Sequence, residues 1–543
     1  MRMRRNWLVV WTGLLLVAAG GAAGAAEQTG DAGKAAATPP GLHFSLAAQA
    51  PAASGVAEPT FTLTIKESIL LALKNNLDIT IEAFNPRIRE GDIATAKSAF
   101  DPVFTGSVSD GRARTENNTA SFIPGSLFSS NVSTFSFNLQ LNDKLPTGAS
   151  AQLAWTNQRN RSNSFGINFN PNYNTALTLT LTQPLLKNFG MDVNETPIKL
   201  AINNRQIARS TLTTRIYDVV TNAQSAYFDL VSAIEQLEVA RQSLALARDL
   251  VDLNKARVRA GVAAPVEVTQ AEATAAAQEG NVLTAEKAVK DAEDNLRVIL
   301  NLPGGPAGWE GTIVPAERPA FQVVTVDLPE SIRTALSKRS EYEAAKVDVA
   351  NKDLNRRLAK NQLLPELDAV GSAGLTGLDG TVRTNRGATI VSAGGEGSSL
   401  GNMVSGQFNN WSAGLALTVP LGNRAAEAGY TQAVLQEDQS RVSLRNLELQ
   451  ITAQVREGVR RIETGAKQVE AARVARVLAE EQLRIETLRL RAGVSTTFNV
   501  TTFQTQLATA RAAEVTAVNT YQKALVNMER VRGTVLEKFQ IQL

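Results

Sequence analysis

Over much of the chain, apolar residues recur in alternating steps of three and four. Between Ile198 and Val258 they fall at Ile216, Val219, Ala223, Ala226, Leu230, Ala233, Leu237, Ala240, Leu244, Ala247 and Val251, one stripe along a helix and the seam of a coiled coil. A break at Gly261 and Pro265 follows. The habit then resumes at Val268, Ala271, Ala275, Val282, Ala285, Val289, Ala292, Leu296 and Ile299, so two helices are expected to lie antiparallel, seam to seam. A second such pair spans about Arg424–Arg491 and Phe498–Glu537. Alanine at so many seam positions permits close helix approach, whereas a compact core needs larger side chains to fill its volume. At ~1.5 Å per residue the longer arms reach roughly 90–100 Å. Rods of that length cannot fold back into a compact domain and must pack sideways against other rods.

Elsewhere the period is two. Phe135, Phe137, Leu139 and Leu141 alternate with Ser136, Asn138, Gln140 and Asn142; Leu177, Leu179 and Leu181 alternate with threonines; Leu415, Leu417 and Val419 alternate with Ala416 and Thr418. A face of apolar residues backed by Ser, Thr, Asn and Gln suits a barrel wall with lipid outside and water inside. Six segments qualify as strands: Val103–Ser109, Thr134–Asn142, Ala149–Asn157, Thr175–Gln183, Glu366–Gly374 and Trp411–Val419. The middle two of the first four are joined by Lys144-Leu145-Pro146-Thr147-Gly148, a tight turn, and the outer connections are long and polar. Most of Gly371–Asn410, rich in glycine and serine, is expected to be an exposed loop.

The two patterns occur twice in the same order. Glu67-Ser68-Ile69 answers Glu330-Ser331-Ile332 and Ala96-Lys97 answers Ala359-Lys360, both 263 residues apart; Gln183-Pro184-Leu185 answers Val419-Pro420-Leu421; Arg259-Ala260-Gly261-Val262 answers Arg491-Ala492-Gly493-Val494. The chain therefore reads as a duplication. Its expected organisation is a signal peptide at 1–26, a disordered leader at 27–58, a first repeat at 59–302, a linker at 303–326 and a second repeat at 327–543. The signal peptide is read from Arg2, Arg4 and Arg5, the apolar run Trp7–Ala19 and the small residues Ala23-Gly24-Ala25.

Charge and composition remove alternatives. The formal net charge is +3, and the three arginines of the leader account for it, so nothing points to a nucleic-acid partner. There is no cysteine and a single histidine, His43, inside the low-complexity leader. Histidine-based catalysis and histidine-rich metal sites lose their basis. The word Gly397-Ser398-Ser399-Leu400-Gly401 has the spelling of a hydrolase nucleophile elbow but sits in a glycine-serine stretch without a usable base. No phosphate-cradling loop pattern is present, which removes nucleotide hydrolysis by this chain from the expectations. The chain is not expected to be an enzyme, and no cofactor is expected.

On the duplication, the Pro-Leu steps where strand passes to helix and the paired Arg-Ala-Gly-Val turns, the chain resembles the TolC family of outer-membrane efflux and secretion proteins over roughly Thr62–Phe539. The resemblance implies an α+β membrane protein: a homotrimer sharing one transmembrane β-barrel in outer-membrane lipid, continued through the periplasm by a coiled-coil α-helical barrel of twelve helices. It implies a passive exit duct for small molecules or for type I secretion, docked through its helical turns to a periplasmic adaptor and powered by an inner-membrane pump. The docking turns carry over to Arg259, Ala260, Gly261, Val262, Arg491, Ala492, Gly493 and Val494. The family can narrow its tunnel tip with carboxylate rings just beyond the second turn; the matching positions here are Asn499 and Thr502, a departure from that pattern, and the equivalent positions of the first repeat are Glu267 and Gln270, so Glu267 is the one acidic candidate. The family norm is four strands per subunit, whereas the six segments above favour a barrel of eighteen; the competing reading keeps four and folds Thr134–Asn157 as a hairpin outside the wall. A trimeric coiled-coil adhesin or stalk is the alternative that shares the signal peptide and the heptads.

Overall fold

The structure, a computed structural model, describes residues 60–116, 129–163, 167–302, 309, 311–318, 320–384 and 389–539. The expected signal peptide and leader, with His43 and the first part of the linker, lie outside the described residues. Strand β1 (Thr60–Leu63) leads into helix α1 (Ile65–Asn75) and helix α2 (Leu77–Lys97). A capping box starts α1: the Thr64 hydroxyl accepts from Glu67 N–H at 3.2 Å and the Glu67 carboxylate accepts from Thr64 N–H at 2.9 Å, satisfying two donors that the helix itself leaves unpaired. Asn76 caps α2 in turn.

Four strands follow: β2 (Val103–Glu116), β3 (Ser129–Lys144), β4 (Ser150–Ser162) and β5 (Asn172–Pro184). After a single helical turn, α3 (Met191–Asn194), come the two arms of the first hairpin, α4 (Thr196–Arg259) and α5 (Pro265–Leu300). Strand β6 (Thr312–Pro315) pairs in parallel with β1, so part of the expected linker is built into a small two-stranded sheet. The order then repeats: α6 (Leu328–Lys338), α7 (Ser340–Asn361), β7 (Glu366–Thr384), β8 (Thr389–Ala393), α8 (Glu396–Val404), β9 (Asn409–Thr418), the second hairpin α9 (Arg424–Arg491) and α10 (Thr497–Arg532), and the short α11 (Val535–Lys538).

The helical arms are 64 and 68 residues long for α4 and α9, about 96 and 102 Å at ~1.5 Å per residue. Seam residues Ile216, Val219, Ala223, Ala226, Leu230, Ala247 and Val251 are buried, and Leu237, Ala240 and Leu244 between them are half-buried. Among the described residues five apolar clusters hold the arms, three of them the larger. Ala72, Val219, Ala223, Leu296, Leu300 and Ile313 join the first repeat to β6. Ile451, Val455, Ile462, Tyr521 and Val531 join α9 to α10. Leu250, Val251, Leu483, Leu490 and Leu507 fasten one hairpin to the other near their tips.

Two tyrosines pin the connector between the repeats. Tyr227 is fully buried; its hydroxyl accepts from Glu317 N–H at 3.1 Å and lies 3.2 Å from the Leu63 carbonyl, to which it donates. Tyr521, equally buried, donates to the Gln322 carbonyl at 2.8 Å and accepts from Val324 N–H at 3.0 Å. Burial holds the Tyr227 phenol above its ordinary pKa, so it stays a neutral donor.

All six expected strands are present in one antiparallel meander, β2-β3-β4-β5-β7-β9, with β8 extending β7 at its far end. Each except β9 runs several residues further towards that end than its alternation indicated. The turn between β3 and β4 closes through Leu145 N–H to Ala149 O at 2.8 Å and Gly148 N–H to Leu145 O at 2.9 Å. Gly148 has φ +93, and a Cβ there would lie 2.3 Å from the Asn188 carbonyl, so no side chain fits.

The expectation of a loop over most of Gly371–Asn410 is overturned. Strand β7 continues to Thr384, β8 returns, and α8 packs back onto the sheet, with Ser399 and Met403 buried. Glycine here serves packing: a Cβ on Gly377 would stand 2.0 Å from the Ser399 carbonyl. Among the described residues no helix is long and apolar enough to cross a membrane.

Candidate functional site

Strand pairing assigns every side chain of the sheet to a face, because alternate residues point to opposite sides. One face carries Phe104 and Val108 of β2, Phe135–Leu141 at odd positions of β3, Leu153 and Trp155 of β4, Leu177, Leu179 and Leu181 of β5, and Trp411, Leu415 and Leu417 of β9. The other carries Thr105, Ser107, Ser109, Thr134, Ser136, Asn138, Gln140, Gln152, Thr178, Thr180, Ser372 and Ser412. Its hydroxyls and amides pair across strands: Ser109 with Ser136 at 2.7 Å, Thr134 with Asn160 at 2.9 Å, Gln152 with Asn142 at 3.0 Å and Ser372 with Ser412 at 2.8 Å. One face is therefore wettable and the other is not. In a single chain Trp411 is 78% exposed, Leu415 70% and Val108 65%, more bare apolar surface than a sheet in water tolerates.

The hairpin tips are built alike. In the first, Gly261 N–H bonds to Val258 O at 3.0 Å and Val262 N–H to Arg257 O at 3.0 Å; in the second, Gly493 N–H bonds to Leu490 O at 3.1 Å and Val494 N–H to Arg489 O at 3.0 Å. This is the Schellman closure of a helix, and it needs a left-handed residue at the glycine. The glycines supply it, at φ +75 and φ +76. Ala260 and Ala492 are the last right-handed residues before them. Arg259, Val262, Arg491 and Val494 are all exposed. So each Arg-Ala-Gly-Val word has a folding reason of its own.

The four positions beyond the turns have different surroundings in the single chain. Glu267 is held in a contact between hairpins: its carboxylate accepts from Arg257 at 3.2 Å and from the Thr497 hydroxyl of the other hairpin at 2.7 Å, beside the fully buried Asn254. Gln270 is exposed. Asn499 is exposed, its backbone N–H held by the Thr496 cap at 3.3 Å. The Thr502 hydroxyl donates to its own helix at Phe498 O, 2.9 Å away.

One arrangement escaped the sequence reading. Asn254 and Glu267 of the first tip correspond to Glu486 and Asn499 of the second, so the carboxylate has changed arms between copies. Glu486, buried, is held by Arg489 and accepts from the Ser495 hydroxyl. Each tip thus keeps one arginine–carboxylate pair, Arg257 with Glu267 in the first and Arg489 with Glu486 in the second. Superposing the two repeats at the spacing of their glycines would have exposed the exchange.

The Gly-Ser-Ser-Leu-Gly word lies within α8. Ser399 is fully buried, and its hydroxyl donates to Gly377 O at 2.8 Å with Thr175 Oγ1 3.2 Å away. It joins helix to sheet and is not presented to a substrate.

A two-faced sheet carried on paired helical rods is the shape of a membrane duct, and family comparison agrees: residues 147–302 and 331–534 match the outer membrane efflux protein family. The chain belongs to that family. It is an outer-membrane efflux channel protein with its helical part in the periplasm, and not an enzyme. Solved structures share its fold. The Campylobacter jejuni CmeC outer membrane channel aligns with TM-score 0.62 at 16% identity, over 87% of this chain and 86% of that one. The Vibrio cholerae outer membrane protein VceC aligns with TM-score 0.60 at 15% identity, over 86% and 96%, and the open-state Neisseria gonorrhoeae MtrE outer membrane channel with TM-score 0.58 at 15% identity, over 87% and 89%. No curated protein matches the chain.

Proposed function

We propose that three copies of this efflux protein close one eighteen-stranded barrel and one tunnel of twelve helices, forming a passive exit duct. The observation that carries this reading is the pair of open sheet edges. Strands β2 and β9 run in opposite directions, each is paired on one side only, and their outward faces bear Phe104, Val108, Trp411, Leu415 and Leu417. A bare apolar face is unstable in water and calls for lipid, and in lipid unpaired strand edges are unstable unless the sheet closes on itself. One chain supplies too few strands to enclose a wet lumen, and joining β9 of one copy to β2 of the next preserves the antiparallel order. At ~4.8 Å between strands and a tilt of ~40°, eighteen strands close at a backbone diameter of about 36 Å, against about 24 Å for twelve. Helix α9 supports the same assembly, since Leu435, Val442 and Leu449 form an exposed heptad stripe that a neighbouring rod would cover.

Within this reading residues 1–26 are a cleaved signal peptide, 27–58 a leader, 59–302 and 327–543 the two repeats, and 303–326 their connector. The tips at Arg259–Val262 and Arg491–Val494 meet a periplasmic adaptor, which passes force from an inner-membrane pump. Glu267 fastens the two hairpins of one chain to each other, leaving Gln270, Asn499 and Thr502 as uncharged candidates at the tunnel mouth. The test is planar-bilayer conductance of the detergent-extracted protein with the mass of the conducting complex. Steady pores from a particle of three chains are expected; a non-conducting monomer would overturn the proposal.

A further inference from the structure

The barrel reading leaves one group of side chains without work. Strands β2–β5 contain four arginines, Arg112, Arg114, Arg159 and Arg161. By register all four lie on the apolar, outward face, towards the end of the sheet remote from the helices: Arg112, Arg114 and Arg161 lie beyond the apolar residues of β2–β5, and Arg159 stands in their last row, between Phe135 and Tyr173. The inward face at the same level carries Gly111, Ala113, Thr115, Val132, Thr134, Gln158 and Asn160 and no arginine. Arg112 and Arg161 flank Ser133 in one row of strand pairs, about 10 Å apart across two strand spacings. Side chains of that length can reach one ligand across the small serine. Arg159 stands 5.9 Å from the centre of the Tyr173 ring, a cation–π contact near the outer limit of its range. All four arginines are exposed, and among the described residues none makes an ion pair. The outward carboxylates nearby are Asp110 and Glu116 of β2, with Asp379 on β7 further along, so the β2–β4 corner keeps two positive charges in excess.

We infer that this corner binds the phosphate groups of a phosphorylated glycolipid in the outer leaflet. The inference rests on the barrel reading, which turns the apolar face to lipid and its far end to the cell exterior. Guanidinium groups in excess over carboxylates, at and just beyond the edge of an apolar band, meet the headgroup layer, and their planar donor forks suit phosphate oxygens. Continuity with the apolar band selects a lipid over free phosphate, because acyl chains would lie on Phe137, Leu139 and Trp155 while the headgroup reaches the arginines.

The test places the full chain in nanodiscs containing trace diphosphorylated glycolipid or its dephosphorylated form, and counts retained glycolipid by native mass spectrometry. The wild type is expected to retain the phosphorylated form about ten-fold more than the other. The double variant Arg112→Gln/Arg161→Gln should lose most of that preference, and Arg112→Lys/Arg161→Lys should recover part of it. Bilayer conductance of each variant confirms insertion, and if the double variant does not insert, Arg161→Gln alone should still lower the preference about three-fold. Equal retention of the two lipids by a conducting wild type, or an unchanged preference in conducting variants, overturns the lipid site while leaving the barrel intact. A wild type that neither inserts nor conducts overturns both.

Discussion

The tip glycines offer a direct way to separate folding from docking. Gly261 and Gly493 sit at φ +75 and φ +76, and a Cβ built on either meets no atom within 4 Å. Steric crowding therefore contributes nothing, and the cost of substitution is the cost of the left-handed backbone alone. For alanine that is roughly 1–2 kcal/mol; for asparagine, which visits this region far more readily, it is a fraction of that. Gly261→Ala and Gly493→Ala should each raise the opening equilibrium of the tip by about 5–30-fold, the factor corresponding to 1–2 kcal/mol. The amides of Val262 and Val494, which close the turns onto Arg257 and Arg489, report that opening by hydrogen exchange. The Asn pair should leave exchange nearly unchanged while placing an amide side chain where a docking adaptor must approach. If the tips dock through bare backbone, Gly261→Asn/Gly493→Asn weakens co-purification with the adaptor at least ten-fold despite intact turns. Unchanged adaptor recovery in that double variant would show the glycines to be helix caps and nothing more, and unchanged exchange in the alanine variants would refute the energetic argument itself.

Three other outcomes follow from the structure. In this cysteine-free chain, Ile167→Cys should be labelled by a membrane-impermeant maleimide on intact cells and Thr147→Cys should not, because the β3–β4 turn faces the helices; labelling of Thr147→Cys from outside would invert the sheet. Tyr521→Phe strands the Gln322 carbonyl and Val324 N–H, costing about 1–3 kcal/mol, and should accelerate proteolysis of the connector near residues 320–326; a cleavage rate equal to wild type would contradict the pinning role. Hydrogen bonding from Arg441, with Arg356 on the other oxygen, holds the Glu437 carboxyl below its ordinary range. The resulting stability is full above the unfolded carboxylate value of ~4.3 and is lost as pH falls through the lower folded value, so Glu437→Gln should flatten the acid limb of a thermal-midpoint profile, and superimposable acid limbs would exclude the contribution.

What could be read from the sequence followed the length of each pattern. The seam from Ile216 to Val251 repeats for ten steps, and the arms end within a few residues of where the heptads and the Gly-Val turns put them. Strands β2–β5 announced themselves wherever phenylalanine or leucine faced serine or threonine, but their outer ends, such as Arg112–Glu116 and Arg159–Ser162, carry polar residues on both faces and so lose the period. Strands β1 and β6 are four residues each, too short for any period, and exist because parallel pairing with each other satisfies their backbone. Composition misled at Gly371–Asn410: glycine is usually a sign of loop, yet Gly377 is there because the Ser399 carbonyl occupies the space of a side chain. The tips show the remaining limit. Their shared words, Arg-Ala-Gly-Val, encode the local closure of a helix and so survive in both copies, whereas the contact that joins the hairpins unites Glu267 with Thr497, residues far apart in the chain and unequal between repeats. A cap can be recognised from four neighbouring residues. A clamp between copies depends on how the copies have diverged, as the exchange of Asn254 and Glu267 for Glu486 and Asn499 demonstrates, and it becomes visible only when the two hairpins are laid side by side.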